Sequence, residues 1–398
     1  MRQRLTSGRR LWGVDVARSL ALFGMMSVHI FPGTRPDGSL HPSYAIAAGR
    51  SAALFAVLAG VGLALATGGQ QPYDGRRLLA ARAGVLTRAA LLIGLGLILG
   101  QVNSPPLVIL AYYGVLFVLA IPFLGLSSRA LAALAAASAV LTPVLSYLVR
   151  THLDPAPIAD AGGSDLFVEL FLTGTYPALT WTTYLFAGLS VGRADLRRAS
   201  TALWLAVGGA ALAIGAYVAA SSLLNAAGGV DRLRRSVPSD PVYAFVGDDL
   251  DLRLREGFFG VTPTTDWRWL VVAAPHSGTT FDLLATTGTA LAVLGVCLLV
   301  VARARWLSLA LAATGSMTLS LYTAHVLALS QGSRLLVTDD RLDLWLGHVV
   351  TAIVLATLWR SGVGRGPLEW VSAMVDRSAR RLVEGRRPDV RERTGVTR

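Results

Sequence analysis

Three ionisable side chains lie within the first apolar stretch, residues 11–31, which reads LWGVDVARSLALFGMMSVHIF. Asp15 and Arg18 are three residues apart and can form an ion pair on one helix face. Arg18 and His29 are eleven residues apart, or about three turns, so a helix would place both on one face about 16 Å apart. Histidine is suited to accept a hydroxyl proton near neutral pH. Ionisable groups at this depth indicate either a functional interior or a structural ion pair between packed helices.

A second candidate base, His41, follows in the short loop of residues 32–44, whose prolines and glycines predict turns. All six histidines are predicted to lie in the outer half of the membrane or beyond it; they are His29, His41, His152, His276, His325 and His348. Loop histidines can be ordinary solvated residues, and histidines within helices can hydrogen-bond to neighbouring helices. The sequence leaves open whether His29 or His41 is the base.

Three arginines at the start of the third apolar stretch are candidates for binding a phosphorylated ligand: Arg77, Arg82 and Arg88. Arg77 and Arg88 share a helix face, and Arg88 lies deeper. The alternative is that all three anchor the chain to the cytoplasmic leaflet. The sequence has no metal-ligand spacing such as HExxH, no P-loop and no GxSxG motif, so we expect no metal site.

The composition predicts that these residues are positioned by membrane-spanning helices. Of the 398 residues, 53% are hydrophobic and only 15% are charged, unlike a soluble domain. About ten apolar stretches approach the ~20 residues that a helix needs to cross a bilayer. They lie near residues 12–31, 46–67, 79–100, 106–126, 130–149, 177–192, 201–223, 281–301, 306–328 and 342–360. We therefore predict an all-α, polytopic bundle of about ten transmembrane helices in the cell (plasma) membrane, with both termini cytoplasmic.

The arginine clusters set the predicted orientation. With the N-terminus inside, they all fall on the cytoplasmic side; they are Arg9/Arg10, Arg76/Arg77/Arg82, Arg193/Arg197/Arg198, Arg303/Arg305 and Arg377/Arg380/Arg381. Topology thus explains the net charge of +12, and we expect no nucleic-acid partner. We predict a membrane domain over residues 1–370 with an outer segment at 224–281. A basic cytoplasmic tail over 371–398 should begin with a surface helix.

Several motifs resemble those of a membrane acyltransferase superfamily. GVDVARSLALFGMMSVH resembles the first helix of the acyltransferase-3 O-acetylases, whose Arg and His signature Arg18 and His29 match. LHPSYAIAAGRSAALFAVLAG resembles heparan-α-glucosaminide N-acetyltransferase, in which a lumenal-loop histidine is associated with acetyl transfer; His41 falls at nearly that place. YLFAGLSVGRADL, GSMTLSLYTAH and RGPLEW are similar to YeiB-like proteins. Many of these relatives have Asn where this chain has His29, so the sequence mixes two subfamily patterns.

The resemblance implies transfer of an acetyl or other acyl group from a cytoplasmic acyl-CoA, such as acetyl-CoA, to a hydroxyl or amine at the outer face. The acceptor is expected to be a carbohydrate or cell-envelope glycan. His29 or His41 would be the base, and Arg18, Arg82 and Arg88 would assist the donor. One alternative is a transporter or flippase of a polar or lipid-linked metabolite, and another is a non-catalytic scaffold. Membrane lipids are expected partners, and a homodimer is one option for the oligomeric state.

Overall fold

Helices occupy all ten predicted stretches. The computed structural model describes residues 10–102, 106–152, 166–237, 249–260, 262–304, 308–331 and 341–384. Its helices are α1 Trp12–Ile30, α2 Pro42–Ala47, α3 Arg50–Ala66, α4 Gly75–Gly100, α5 Leu110–Ala120, α6 Ser128–Arg150, α7 Ala178–Gly192, α8 Ala199–Ala226, α9 Gly229–Ser236, α10 Leu250–Glu256, α11 Thr280–Arg303, α12 Leu309–Gly315, α13 Thr318–Gln331, α14 Leu342–Gly362 and α15 Pro367–Glu384. Among these described residues there is no strand, and the predicted all-α polytopic class is confirmed.

In the part of the chain that the structure describes, six helices are long and apolar enough to cross a membrane by length and composition. They are α2 with α3 (Pro42–Ala66), α4, α6, α8, α11 and α14. The predicted count of about ten is not reached by this criterion, for identifiable reasons. Helix α1 carries Asp15, Arg18 and His29, while α5 and α7 are only 11 and 15 residues long. The ninth stretch is broken into α12 and α13.

Helix α1 lies at the centre of the bundle. It packs against α3, α11, α12 and α14, and most of its side chains are buried, with Ala17 and Leu22 fully so. The small residues of α3 allow it to pack against α1 on one side and even more closely against α7 on the other. A Cβ atom on Gly60 would collide with the backbone of α7, and one on Gly188 would collide with the backbone of α3. Neighbours on every side therefore fix the direction in which α1 presents its polar residues.

The break in the ninth stretch lies against α1. Helix α12 ends at Gly315, and α13 begins at Thr318. A Cβ atom on Gly315 would collide with the backbone carbonyl of Asp15, so only glycine allows this approach. Non-helical backbone at membrane depth is tolerated where it is buried in protein or lines a cavity. The break thus starts a new helix beside the ion pair of α1.

The segment of residues 224–281, which the sequence predicts to lie outside, has a small apolar core of its own among its described residues. Helices α9 and α10 and the turn Trp267–Val271 contribute to it, with Leu233, Leu250, Phe258, Trp269, Val272 and Ala274 buried together. Trp269 is 1% exposed within this core. Its indole Nε1 donates to Ser236 Oγ at 3.1 Å. Trp267 is half exposed, beneath the Arg268 guanidinium.

The predicted surface helix of the tail is α15, which packs along α4 and against α13. Arg380 on this helix pairs with Asp376 at 2.9 Å and also donates to the carbonyl oxygen of Ala66 at the end of α3. Residues 385–398 of the predicted tail lie outside the described residues. Helix α15 therefore closes one end of the bundle, which we call the arginine end; the opposite end, where α1 finishes at Ile30, is the histidine end.

Candidate functional site

Asp15 is the centre of an ion-paired cluster at the arginine end of α1. It is 3% exposed, and its carboxylate accepts from Arg10 Nε and from Arg18 Nη1, the latter at 3.2 Å. The predicted pair of Asp15 and Arg18 is therefore formed, with Arg10 as an additional partner. A buried carboxylate shared by two guanidinium groups leaves net positive charge beside it.

A cavity of about 540 Å³ opens next to this cluster. Five arginines and two carboxylates line it: Arg10, Arg18, Arg88, Arg360, Arg365, Glu369 and Asp376. They come from α1, α4, α14 and α15 and from the chain next to these helices. The inner part is lined by apolar and aromatic side chains, including Phe55, Tyr113 and Phe117. The cavity is thus cationic at its mouth and apolar within.

Three of the cavity arginines have no carboxylate within salt-bridge distance among the described residues. They are Arg88, Arg360 and Arg365, whereas Arg10 and Arg18 share Asp15. The guanidinium of Arg88 lies 5.5 Å from the ring centroid of Phe117. Asp376 is already engaged by Arg380, and Glu369 by backbone N–H groups. This surplus of positive charge, of which Arg360 is buried and Arg365 is exposed, fits an anionic ligand such as a phosphate ester.

One face of α1 runs from the cavity mouth toward His29, as the eleven-residue spacing predicts. Arg18 and Met25 line the cavity, and Gly62 of α3 leaves room for the Arg18 guanidinium. His29 is not among the lining residues. The ring of Tyr322, which lines the cavity, stands between them and contacts His29 edge-on, with ring centroids 6.5 Å apart. The cavity therefore ends one side chain short of His29.

His29 belongs to a row of three histidines. Its Nδ1 is 3.2 Å from Nε2 of His325, with the two rings stacked, and the His325 ring meets His348 edge-on at 5.0 Å. Among the described residues, no group of three His, Cys, Asp or Glu side chains has the geometry to hold a metal ion. The contact between the His29 and His325 ring nitrogens has the distance of a hydrogen bond. Because Nδ1 of His29 is engaged with His325, its Nε2 is the nitrogen left for a substrate.

Glu369 of α15 connects that helix to α13, which carries Tyr322 and His325. Its carboxylate accepts from the backbone N–H groups of Leu319 and Ser320 at 2.8 and 3.1 Å, and from the Ser320 hydroxyl. The first N–H groups of a helix have no partner within the helix, so this side chain caps α13 from another element. Two of the quoted motifs, GSMTLSLYTAH and RGPLEW, meet at this contact.

His41 lies away from the cavity, at the start of α2. Its Nδ1 accepts from the backbone N–H of Ser43 at 3.2 Å and pairs with the Ser43 hydroxyl at 2.7 Å, while its ring stacks on Phe31. Partial burial, and then the charges of Arg35 and Arg341, hold its pKa below the usual value. His41 is therefore neutral at neutral pH and acts as a helix cap.

Two of the three predicted phosphate-binding arginines do not reach the cavity. Arg77 is exposed, and Arg82 donates to the carbonyl oxygens of Ile121 and Pro122, both at 3.2 Å. Arg82 lies on a different face of α4 from Arg88, whereas Arg77 shares that face but lies about 16 Å nearer the start of the helix, so of the three only Arg88 lines the cavity. Arg82 instead ties α4 to the end of α5.

The other loop histidines differ from each other. His152 is exposed, as a solvated residue would be. His276 is not solvated: it stacks on Phe259, its Nδ1 has no hydrogen-bond partner among the described residues, and burial lowers its pKa to about 4. No contact joins either histidine to the cavity.

Sequence reasoning missed Arg360, Arg365, Glu369, Asp376 and Tyr322 as part of the site. Glu369 lies in a motif that the resemblance had singled out, and Tyr322 lies in an unusually polar helix, so both had a signal. Arg360 and Arg365 had none, because arginines at helix ends are also expected from the positive-inside rule.

The chain matches a known family. The model described as heparan-alpha-glucosaminide N-acetyltransferase, catalytic, matches residues 10–224, more than half of the chain. This range includes α1, His41, Arg88 and the glycines that pack α3 against α7. No curated protein matches the chain.

Proposed function

The chain belongs to the heparan-alpha-glucosaminide N-acetyltransferase catalytic family, and on that premise we propose that it moves an acetyl group from acetyl-CoA to an amine or hydroxyl of an acceptor. The family supports a membrane N-acetyltransferase activity in general. The donor, the acceptor class and the direction across the membrane are the proposal.

The cationic cavity carries this proposal. Acetyl-CoA has phosphates at one end, a flexible arm and a reactive thioester at the other. Arg88, Arg360 and Arg365 would hold phosphates, because charge-assisted hydrogen bonds to guanidinium groups are strong and directional. The apolar inner part would take the arm and direct the thioester toward Tyr322. An adjoining cavity of about 430 Å³, which shares Arg10 and Arg18, gives further room for the nucleotide.

His29 would act as the general base. The acceptor nitrogen or oxygen bonds to the acyl carbon, the C–S bond breaks, and the acceptor proton passes to Nε2 of His29. The proton then protonates the leaving thiolate, so that the ring returns to its neutral form. Hydrogen bonding from Nδ1 to His325 Nε2 would hold the ring in the tautomer with a free lone pair on Nε2. Tyr322 would turn aside to let the thioester approach.

The orientation follows from the same assignment. Binding of a cytoplasmic donor at the arginine end would require that end to face the cytoplasm, which agrees with the positive-inside rule. The histidine end would then face outward, and the acceptor would be part of the cell envelope, with the protein in the plasma membrane.

Donor binding to the purified protein tests the proposal. Acetyl-CoA affinity should fall about tenfold or more in Arg88→Gln and Arg360→Gln, because each loses a charge-assisted contact. Arg129→Gln is the matched control, since Arg129 is an exposed arginine at the same end that does not line the cavity. Equal affinity in all four proteins, or no binding by the wild type, would overturn the assignment of the donor.

The broken pair α12 and α13 favours a second candidate, a transporter. Discontinuous helices at the centre of a bundle are typical of substrate sites in transporters. Accumulation of a polar metabolite in proteoliposomes without an acyl donor would support this alternative, and dependence of every activity on acetyl-CoA would exclude it.

A further inference from the structure

We propose that the acceptor is amphipathic, an amine or hydroxyl headgroup on an alkyl or prenyl chain, and that it reaches His29 from the bilayer through a cleft between α13 and α14. This inference rests on the proposed acetyl transfer and adds the chemical class of the acceptor and its binding site.

The cleft is separate from the arginine cavity and has about 450 Å³ of space. It changes in character along α14. Asp343 and His348 line it near the start of the helix, and Ala352 and Leu355 line it farther along. Across it, α13 contributes His325 and small or apolar residues. The distance along α14 from Asp343 to Leu355 is about 18 Å, enough for a headgroup and part of a hydrocarbon chain.

At the head of the cleft, one buried histidine nitrogen lacks a partner among the described residues. His325 is 3% exposed, and its Nδ1 has no hydrogen-bond partner within the described part of the chain. Nδ1 of His348 donates to the carbonyl oxygen of Leu344 at 2.9 Å, which leaves the neutral ring with a lone pair on Nε2. Buried polar groups are nearly always satisfied in native structures. An amine or hydroxyl headgroup supplies the missing partners.

The cleft leads to the proposed base. His325, in its wall, is 3.2 Å from His29, whose ring also meets the ring of Tyr322 in the cavity. A thioester from the cavity and an acceptor headgroup from the cleft would therefore meet on one side of the His29 ring, next to Nε2. The transfer balances without another reactant, because the acceptor gives one proton and the released thiol takes one.

The open side of the cleft faces the surface that lipid would cover. In the middle of α14 the exposed side chains are mainly apolar. Val350, Val354 and Leu358 are each about half exposed or more. A water-soluble acceptor gains nothing from such a surface, whereas a molecule already dissolved in the bilayer can enter sideways. The apolar wall and the adjacent histidines together specify an amphipathic occupant.

Two acceptors with one headgroup test this inference in proteoliposomes supplied with acetyl-CoA. We expect dodecyl glucosaminide to be acetylated with a kcat/KM about tenfold or more above that of methyl glucosaminide. Gly347→Leu, which narrows the cleft, should remove most of this advantage of the long chain. Gly347 lines the cleft, and a Cβ atom there meets nothing within 4 Å, so the backbone tolerates a side chain at this position.

Gly208→Leu on α8 is the matched control, since it adds the same side chain at another open position. It should keep the preference for the long chain, which separates binding in the cleft from simple partitioning into the membrane. Equal kcat/KM for both acceptors, or an unchanged preference in Gly347→Leu, would overturn the inference and leave acetyl transfer standing. Acetylation of neither acceptor, together with no acetyl-CoA binding, would overturn the proposed function as well. A change of oligomeric state in Gly347→Leu would show that a second copy occupies the cleft, which also contradicts the inference.

Discussion

At the scale of single residues, the two candidate bases, His29 and His41, differ in which ring nitrogen is free to accept a proton. Nδ1 of His41 accepts a backbone N–H, so the neutral ring carries its proton on Nε2 and has no lone pair left for an acceptor. Nδ1 of His29 faces another histidine, which can accept as well as donate. Only His29 can therefore present a free lone pair while keeping its structural hydrogen bond.

Replacing His41 by Asn should preserve the cap and the activity. Asparagine is among the best N-cap residues, whereas His41→Ala should lower the free energy of unfolding by about 0.5–2 kcal/mol. Thermal unfolding in detergent and acetyl-transfer rates measure the two effects. A loss of activity in His41→Asn without a loss of stability would assign the base to His41.

The cap of His41 should also depend on pH. The folded state lowers the pKa of this side chain, so folding favours the neutral ring. The resulting stability is present above the unfolded-state pKa and is lost as the pH falls through the lower, folded-state value. On acidification below pH 6, the wild type should therefore lose thermal stability relative to His41→Asn. Parallel profiles for the two proteins would contradict the cap.

At the scale of elements, Glu369 links the arginine-lined cavity to the helix that carries His325. It lines the cavity from α15 and caps α13, which carries Tyr322 and His325. The sequence predicted one continuous span at 306–328 and a surface helix near residue 370. Hydropathy could not reveal the break between α12 and α13. The N–H groups that have no partner within α13 are bonded by Glu369, which lies about fifty positions away in the sequence. The eleven-residue face of α1 was predictable because it depends only on helix geometry.

Removal of the cap should misplace α13. In Glu369→Ala, two backbone N–H groups lose their acceptor, at a cost of about 1–3 kcal/mol each if they stay buried. We expect a lower kcat together with reduced thermal stability. Glu369→Gln, which keeps an acceptor oxygen, should restore most of the stability. Equal behaviour of both variants would mean that the charge of Glu369, and not its capping bonds, is what matters.

At the scale of the whole molecule, the bundle has two chemically different ends. Arg193 holds the arginine end together by donating to carbonyl oxygens of Ala64, Thr67, Gly69 and Leu124. At the histidine end, Arg150 donates to Thr262 of the outer segment at 2.9 Å. The helical class and the positions of nearly all helices could be predicted from hydropathy. The cavity could not, because Arg88, Arg360 and Arg365 come together only through tertiary packing.

Cysteine labelling should report opposite sides for the two ends. Asp37 and Arg76 are exposed, and the sole native cysteine, Cys297, is buried. In intact cells, an impermeant maleimide should label Asp37→Cys and should label Arg76→Cys only after the membrane is opened. Labelling of both positions from the same side would contradict the proposed orientation.

The most direct test of the central claim compares His29→Gln with His41→Asn in purified protein supplied with acetyl-CoA and dodecyl glucosaminide. Loss of a general base should slow acetyl transfer by about 10²- to 10⁴-fold in His29→Gln, with acetyl-CoA affinity unchanged. His41→Asn should retain nearly the full rate. A near wild-type rate in His29→Gln, or the reverse order of the two variants, would contradict the account.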